Sequence, residues 1–296
     1  MTGGTGFVGG TLVRHATMRG HPVRALARRA QPAQARVEWV DGALDRPEAL
    51  ARLVECAVAV IHVAGAIHAP DRAGFAAANI DGTRAMIDAA RAAGVRRFVH
   101  VSSLAAREPE LSDYGWSQAA SEAVVRASGL DWTIVRPPAV YGPGDRETLE
   151  LFRMARRGLM LLPPPGRLSV IEVSDLSRFL LTLAGTQEGI GQLFEPDDGH
   201  EQGWSHRSFA EAIGAAVGRE RALYVTVSPA LMRLGARLDT LVRGRDAKLT
   251  PDRARFYAHP DWVAHARPPA DMWRPHIETH AGLRATAVAY RAAGWL

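Results

Sequence analysis

The chain has 296 residues, long enough to bury a sizeable core in one large domain or two smaller ones. Its composition, 47% hydrophobic and 23% charged, is that of a folded globular protein without low-complexity tracts. The formal net charge of +5 comes from arginines scattered through every segment. They are not gathered in one stripe with aromatic residues, which argues against a nucleic-acid-binding protein.

Other classes of protein are also excluded. No apolar run approaches the roughly 20 residues that cross a bilayer, and no basic-plus-apolar signal stands at the N-terminus, so we expect neither membrane span nor secretion. Cys56 is the only cysteine, which excludes an intrachain disulfide and fits a reducing, cytoplasmic location. We interpret Cys56 as a small core residue. The histidines lack the spacing of metal ligands, so we predict no metal site.

Short apolar runs alternate with helical patterns over the first two thirds of the chain, which is typical of βαβ units and a parallel sheet. Leu12, Val13 and Ala16 stand at helical spacing, and Gly20 follows as a C-cap. Further helices are predicted over residues 47–54, 79–93 and 113–127. The predicted strands are residues 23–27, 37–40, 58–64, 98–101 and 132–135.

Beyond about residue 197 the alternation of strands and helices fades. We therefore predict a dinucleotide-binding domain over residues 1–196 and a smaller, mostly helical lobe over 197–296, with helices near 206–217 and 228–243. An apolar stripe in the second of these helices is interpreted as core, the usual fate of such a stripe. If it is exposed, it suits an apolar substrate or peripheral contact with a membrane better than a sugar nucleotide. Its members are Leu231, Leu234, Leu238 and Leu241.

Residues 2–9, Thr-Gly-Gly-Thr-Gly-Phe-Val-Gly, contain the pattern GxxGxxG at Gly3, Gly6 and Gly9. Such a loop lets the backbone turn sharply and approach a pyrophosphate, whose charge sits at the N-terminus of the next helix. Glycines alone often mark ordinary turns. This pattern opens a predicted helix and precedes a strand that ends in arginines, so it predicts a dinucleotide-binding loop.

A dinucleotide-binding fold has a central strand before this loop, whereas the sequence starts at Met1, inside the loop. Either residues upstream of Met1 belong to the native chain, or the central strand is missing. We favour the first alternative, because an unfilled central slot would leave backbone donors and acceptors of two strands unpaired, at about 1–3 kcal/mol each if buried.

Several segments together resemble one family. Besides residues 2–9 they are His-Val-Ala-Gly at 62–65, Asn-Ile-Asp-Gly-Thr at 79–83, Val-Ser-Ser at 101–103, Tyr-Gly-Trp-Ser-Gln at 114–118, Arg-Pro-Pro-Ala-Val-Tyr-Gly-Pro-Gly at 136–144 and the terminal Gly-Trp-Leu. The chain resembles the extended short-chain dehydrogenase/reductase family, which includes sugar-nucleotide epimerases and dehydratases, dihydroflavonol reductases and hydroxysteroid dehydrogenases. The resemblance is specific over residues 2–144 and looser after 200. It implies a Rossmann-like, doubly wound parallel sheet and an NAD(P)-dependent enzyme.

The resemblance also implies where a cofactor binds. In the family the residue that ends the second strand selects the cofactor, and Arg28 in that place implies NADP(H), with NAD as the alternative. The family's acidic adenine contact is missing here, although Leu44 could pack on the ring. His62, inside an apolar strand, is interpreted as a core residue rather than a base. The other positions assigned to the cofactor are Gly3, Thr5, Gly6, Phe7, Val8, Gly9, Ala64, Asn79, Tyr114, Gln118 and Pro137.

For catalysis the resemblance implies a Ser/Thr–Tyr–Lys set. Ser103 and Tyr114 match its hydroxyl and its acid/base, but Gln118 stands where the family has lysine. A phenol titrates near pH 10, so it needs a nearby positive charge to work near neutrality. Glutamine can still hydrogen-bond the nicotinamide ribose, but it cannot lower the tyrosine pKa by charge.

Two functions follow from these residues. The leading hypothesis is an NADP(H)-dependent oxidoreductase that acts on a carbonyl or secondary alcohol of a small organic substrate, as a monomer or homodimer. Ser103 would hold the substrate oxygen, Tyr114 would exchange the proton and Gln118 would position the ribose. The alternative is a non-catalytic NADP(H)-binding sensor or an accessory protein of a larger assembly.

Overall fold

The computed structural model describes residues 1–219, 221–244 and 249–296. The chain divides into two compact units, each of them discontinuous in sequence. The first unit contains residues 1–137, 174–196 and 266–273, and the second contains residues 138–173, 197–265 and 274–296. Within the described residues, no helix is long and apolar enough to cross a bilayer.

The first unit is a Rossmann-like α/β structure with parallel strands. Its elements are α1 (Phe7–Met18), β1 (Val23–Ala27), β2 (Val37–Asp41), α2 (Pro47–Val54), β3 (Ala59–His62), α3 (Arg72–Phe75), α4 (Gly82–Ala92), β4 (Arg97–Val101), α5 (Asp113–Arg126), β5 (Asp131–Val135), α7 (Val173–Gly185) and β10 (Gln192–Phe194). Its strands form one group in the order β1-β2 and another in the order β10-β5-β4-β3. A π-helical turn, Ala76–Asp81, precedes α4, and a 3₁₀ turn, Leu104–Arg107, follows β4.

Met1 and Thr2 lie between β1 and β3. The amino group of Met1 donates to the carbonyl of Arg24, and the carbonyl of Met1 accepts from Leu26 N at 3.0 Å. On the other side Thr2 N donates to Ile61 O at 3.2 Å. These two residues therefore occupy the position of the central strand and join the two groups of strands.

The second unit combines helices with short strand pairs. Its aromatic core includes Phe152 and Tyr290, whose rings meet edge to face at 5.1 Å. Its elements are β6 (Ala139–Tyr141), α6 (Leu149–Arg157), β7 (Leu159–Leu162), β8 (Arg167–Leu168), β9 (Val170–Glu172), β11 (Trp204–Ser205), α8 (His206–Ala216), β12 (Leu223–Thr226), α9 (Pro229–Arg243), α10 (Pro251–Ala258), β13 (Asp261–Trp262) and α11 (Thr279–Ala292).

Three expectations differ from the structure. Residues 138–173, expected in the first domain, cluster with the second unit, and residues 266–273 cluster with the first, because strands and loops of both units alternate along the chain. Cys56 is exposed rather than in the core, since it sits in the turn after α2 with a left-handed φ of 53°. The leucine stripe of α9 is also exposed, because the helix packs through its opposite face at Met232 and Ala236.

Two histidines face each other in neighbouring strands. His62 of β3 pairs in register with His100 of β4, and their rings stack at 5.6 Å. Both side chains are buried, and burial lowers the pKa of each. For His100 the pKa falls to about 3. Both imidazoles are therefore neutral in the folded protein near pH 7.

This burial predicts a loss of stability in weak acid. Because the folded pKa lies below the unfolded value of about 6.5, the unfolded chain binds more protons. The contribution of each neutral histidine to the free energy of unfolding is complete above pH 6.5. It decreases as the pH falls below this value, at a limiting slope of about 1.4 kcal/mol per pH unit. We expect His100→Gln to reduce the pH dependence of the unfolding free energy between pH 5 and 6.5, measured by urea denaturation.

The matched control is His21→Gln, since His21 is exposed. If the unfolding free energy of His100→Gln has the same pH dependence as that of the unaltered protein, His100 takes up a proton without unfolding.

Candidate functional site

The glycine loop packs closely against the end of β3. Gly3 has a left-handed φ of 73°, and a β-carbon there would lie 2.9 Å from Ala64 N. A β-carbon at Gly9 would overlap the carbonyl oxygen of Gly3. Gly6 donates to that same oxygen at 2.9 Å and forms the N-cap of α1 without a side-chain cap. The loop therefore presents backbone N–H groups at a helix N-terminus, an arrangement that binds phosphate groups.

The remaining loop positions differ in exposure. Thr5 and Gly6 are exposed, whereas Phe7 and Val8 are half-buried in the first turn of α1. Trp39 of β2 lies beneath the loop, within van der Waals distance of Gly4. The predicted loop residues thus lead directly into the first turn of α1.

A buried hydrogen-bond chain begins at Thr2. Its hydroxyl oxygen accepts from the two peptide N–H groups after β3, at 3.1 Å each, so its proton goes to His62 Nδ1 at 2.8 Å. The hydroxyl of Thr83 donates to Asn79 O at 2.6 Å and therefore accepts from His62 Nε2 at 3.2 Å. His62 is thus neutral, protonated on Nε2 and structural, not a base.

Asn79 joins the loop after β3 to α5. Its Oδ1 accepts from Ala66 N at 2.6 Å, and its Nδ2 donates to Ala66 O at 3.0 Å and to Ser117 Oγ at 2.8 Å. The Ser117 hydroxyl in turn donates to Tyr114 O at 2.8 Å. A β-carbon at Gly65 would lie 3.0 Å from Asn79 Oδ1, so only glycine fits there without a shift. The amide of Asn79 therefore fixes α5 relative to the loop.

Tyr114 lies in the first turn of α5. The helix begins after Ser112, whose hydroxyl accepts from Gly115 N at 3.0 Å. The hydroxyl of Ser103, just beyond the carboxyl end of β4, is hydrogen-bonded to the phenol of Tyr114. Burial of the phenol raises the pKa of Tyr114, and the bond to Ser103 offsets part of that rise. The phenol is therefore protonated at neutral pH.

Gln118 lies one turn further along α5. Its side chain is 6% exposed, and its Nε2 lies 3.8 Å from a β-carbon built at Gly65. Among the described residues, its side-chain amide has no hydrogen-bond partner, while its backbone carbonyl accepts from Ser121. This amide is therefore available to a bound ligand.

The other predicted cofactor positions differ in their surroundings. Arg28 follows β1 and is exposed, with no partner for its guanidinium among the described residues. Leu44 is half-buried and packs against Gly82 at the start of α4. Pro137 is buried, and its carbonyl accepts from Leu104 N at 3.1 Å. The structure thus brings the glycine loop, Ala64, Asn79, Ser103, Tyr114 and Gln118 into one connected cluster.

An ion pair anchors α5 two turns beyond Tyr114. Glu122 is fully buried and accepts from Arg136 Nε and Nη2, at 2.6 and 2.8 Å. The hydroxyl of Ser102 donates to the same carboxylate at 2.7 Å. Because Ser102 precedes Ser103, this bidentate pair holds together the segment after β4, the helix α5 and the end of β5.

Sequence reasoning missed the residues that support this cluster. Thr2, Thr83 and Ser117 lie within the matched segments, but their type alone does not reveal their hydrogen bonds. Gly65 offered a signal, since a glycine after a buried strand often marks a close approach of another part of the chain.

In the described residues no cluster of His, Cys, Asp and Glu side chains could hold a metal ion.

The role of Asn79 can be tested by its removal. Asn79→Ala leaves Ala66 N–H and Ala66 C=O without their buried partner, and we expect a loss of at least about 2 kcal/mol in the free energy of unfolding, measured in urea. Asp81→Ala, on the same turn, removes only an exposed ion pair with Arg84 and should cost less than about 0.5 kcal/mol. Equal costs for the two variants would contradict the proposed anchoring.

The chain is similar to several known proteins. A family model described as NAD(P)H-binding matches residues 3–158. A ceramide reductase of Caulobacter vibrioides is 39% identical, with the alignment covering 100% of this chain and 95% of the relative. A 2-alkyl-3-oxoalkanoate reductase of Stenotrophomonas maltophilia is 29% identical over 96% of each chain.

Among solved structures, the enzyme WbmG of Bordetella bronchiseptica, in complex with NAD and UDP, has a TM-score of 0.76 at 19% identity. That similarity covers 99% of this chain and 94% of WbmG, and at this identity it concerns the fold. The family assignment rests on the family model and on the ceramide reductase that is similar over its full length. The chain belongs to the NAD(P)-dependent enzymes of the extended short-chain dehydrogenase/reductase family.

Proposed function

We propose that this protein is an NADP(H)-dependent reductase that converts a ketone on a long-chain lipid into a secondary alcohol. The observation that carries the proposal is the hydrogen bond between Ser103 and Tyr114, held beside the glycine loop by Asn79. It supplies a proton donor and an oxygen-binding hydroxyl at the carboxyl end of a parallel strand, where such sheets bind their ligands.

The residues present fit a dinucleotide. Gly3 and Gly9 leave the space that a β-carbon would fill, and Gln118 offers an unpaired amide for a ribose hydroxyl. When bound, the reduced cofactor supplies a hydride to the substrate carbonyl carbon. Ser103 binds the carbonyl oxygen, and Tyr114 gives its phenolic proton to that oxygen as the alcohol forms.

The electrostatics of Tyr114 favour one direction of reaction. Burial raises its pKa, and the neutral Gln118 supplies no charge to lower it. The protonated phenol is the form that reduction needs, whereas oxidation of an alcohol needs the phenolate. We therefore assign the protein to reduction near neutral pH.

The substrate class is inferred from the relatives. The names of both full-length relatives, ceramide reductase and 2-alkyl-3-oxoalkanoate reductase, refer to compounds with alkyl chains. A ketone on such a chain suits this site, because its carbon can accept a hydride and its oxygen can be bound and protonated by the Ser103–Tyr114 pair.

The choice of NADP(H) over NAD(H) rests on Arg28. Its guanidinium is exposed at the end of β1, has no partner among the described residues and is followed by Arg29. The chain has no carboxylate at this strand end to bind a ribose diol.

Substituting Arg28 tests this choice. A charge-assisted contact to the 2′-phosphate contributes about 1.5–3 kcal/mol, so Arg28→Ser should weaken NADPH binding at least about tenfold and leave NADH binding unchanged. Arg19→Ser is the matched control, because it makes the same change of charge after the far end of α1. Cofactor titration by fluorescence gives both affinities. An equal loss for NADPH and NADH would assign Arg28 a structural role.

A second candidate function is an NADP(H)-binding sensor without turnover. The observation that favours it is Gln118, which replaces the lysine that the family's chemistry implies. Binding of the cofactor would persist, because the loop and Asn79 do not depend on position 118.

A single series of variants separates the two functions. The unaltered protein should oxidise NADPH with long-chain 3-oxo lipids, and Tyr114→Phe should abolish that turnover. Gln118→Lys places a cation one turn from Tyr114 and lowers its pKa, which makes the phenol a stronger proton donor. This variant should raise reduction at pH 7 by about one to two orders of magnitude. Alcohol oxidation in this variant should begin at a lower pH.

Gln118→Met serves as the control, since it removes the amide without adding charge. NADPH binding by every variant is measured in parallel. Normal NADPH binding with no turnover by either the unaltered protein or Gln118→Lys would favour the sensor. Fast turnover that survives Tyr114→Phe would show that another group transfers the proton.

A further inference from the structure

Helix α9 has two apolar faces. Met232 and Ala236 are buried and pack with Ala254 of α10. On the opposite side of the helix, at spacings of three, four and three residues, leucines point away from the unit. Leu231, Leu234, Leu238 and Leu241 are 57, 53, 53 and 81% exposed. Nothing in the described part of the second unit covers this outer leucine face, although a soluble protein rarely exposes such a stripe.

The flank of the outer leucine face is basic. Arg233 and Arg237 lie along one edge of it and are exposed. Arg233 Nε donates to Pro229 O of its own helix, and no carboxylate of the described residues pairs with either guanidinium. The acidic residue of the helix, Asp239, lies 3.3 Å from Arg243 instead. The edge therefore carries uncompensated positive charge.

The strand pair before α9 has the same character. In the parallel pair of β7 and β12, Leu223 aligns with Leu159 and Val225 aligns with Leu161. All four side chains are exposed, and alternation along a strand puts them on one face. This second unit thus exposes aliphatic groups in two consecutive elements.

We propose that the outer leucine face of α9 binds the surface of an anionic lipid bilayer. A helix that presents leucines on one face and arginines at its edge lies in the plane of a membrane interface, where the leucines enter the acyl boundary. The guanidinium groups of Arg233 and Arg237, which pair with no carboxylate of the described residues, then contact anionic headgroups. A second copy of the chain would bury the leucines equally well, but it would bring like charges together at the arginine edge. Lipid is therefore the partner whose charge complements this face.

This inference stands apart from the catalytic proposal, since neither the glycine loop nor Tyr114 contributes to it. If both hold, the protein meets a lipid substrate where that substrate resides. Binding is measured without cofactor or turnover, so failure of one proposal does not imply failure of the other.

The test is sedimentation of the full chain with vesicles of phosphatidylcholine and phosphatidylglycerol, at about three to one, against vesicles of phosphatidylcholine alone. We expect the unaltered protein to bind the anionic vesicles and to lose binding as salt rises. The double variant Leu234→Ser and Leu238→Ser should reduce the partition coefficient at least tenfold. Arg237→Gln should reduce it for anionic vesicles only.

Val288→Ser is the matched control, since Val288 is a 61% exposed aliphatic residue on α11 of the same unit. Circular dichroism shows whether each variant remains folded, and the exposed positions chosen make loss of folding unexpected. Absence of vesicle binding, or binding that is unchanged in the leucine double variant, overturns the proposal. A dimer in analytical ultracentrifugation that the double variant dissociates, without vesicle binding, assigns the face to a second copy instead.

Discussion

The amide of Asn79 is the constraint on which the rest of the site depends. A primary amide buried in protein must use its donors and acceptor, and Asn79 uses them on both the loop after β3 and the first turns of α5. Gly3 and its neighbours pack on that same loop. The side chain of Asn79 therefore positions both the glycine loop and the helix that carries Tyr114. Asn79 lies within the π-helical turn Ala76–Asp81, a kind of distortion that is frequent at functional sites.

Desolvation, rather than a charged neighbour, sets the acid strength at this site. Tyr114 has Ser103 and the neutral Gln118 beside it, so its phenol retains its proton. The buried carboxylate of α5, Glu122, lies two turns beyond Tyr114 and is paired with Arg136. The histidines of β3 and β4 are likewise neutral because they are buried. A site of this kind changes little in charge through the physiological range.

The sequence predicts the elements of the first unit well because local signals there agree with one another. Helix α2 begins at a proline suited to a first helical turn and ends where its apolar periodicity ends, and strand β1 has the predicted bounds. The family resemblance predicts Tyr114, Ser103 and Asn79 as site residues, and hydrogen bonds link them in the structure. It did not reveal the hydrogen bonds of Thr2 and Ser117, which depend on which segments the fold brings together.

Long-range structure also explains where local reasoning was wrong. A stripe of leucines normally indicates a buried face, but α9 packs through Met232 and Ala236 on its opposite face. Cys56 has an apolar neighbourhood in sequence, yet the chain turns at that residue and exposes it. Neither outcome could be predicted from periodicity, which gives the faces of a helix but not the one that packs.

The interleaving of the two units has a consequence for how the protein can be divided. A fragment ending at residue 196 would lose residues 266–273, and with them the backbone partner of Glu195 at Ala266 and the aromatic contact of Phe179 with Trp273. The remaining fragment would lack residues 138–173, which hold its own core side chains Phe152 and Met160. No single cut releases an intact unit, so neither unit can be produced from one continuous stretch of the chain.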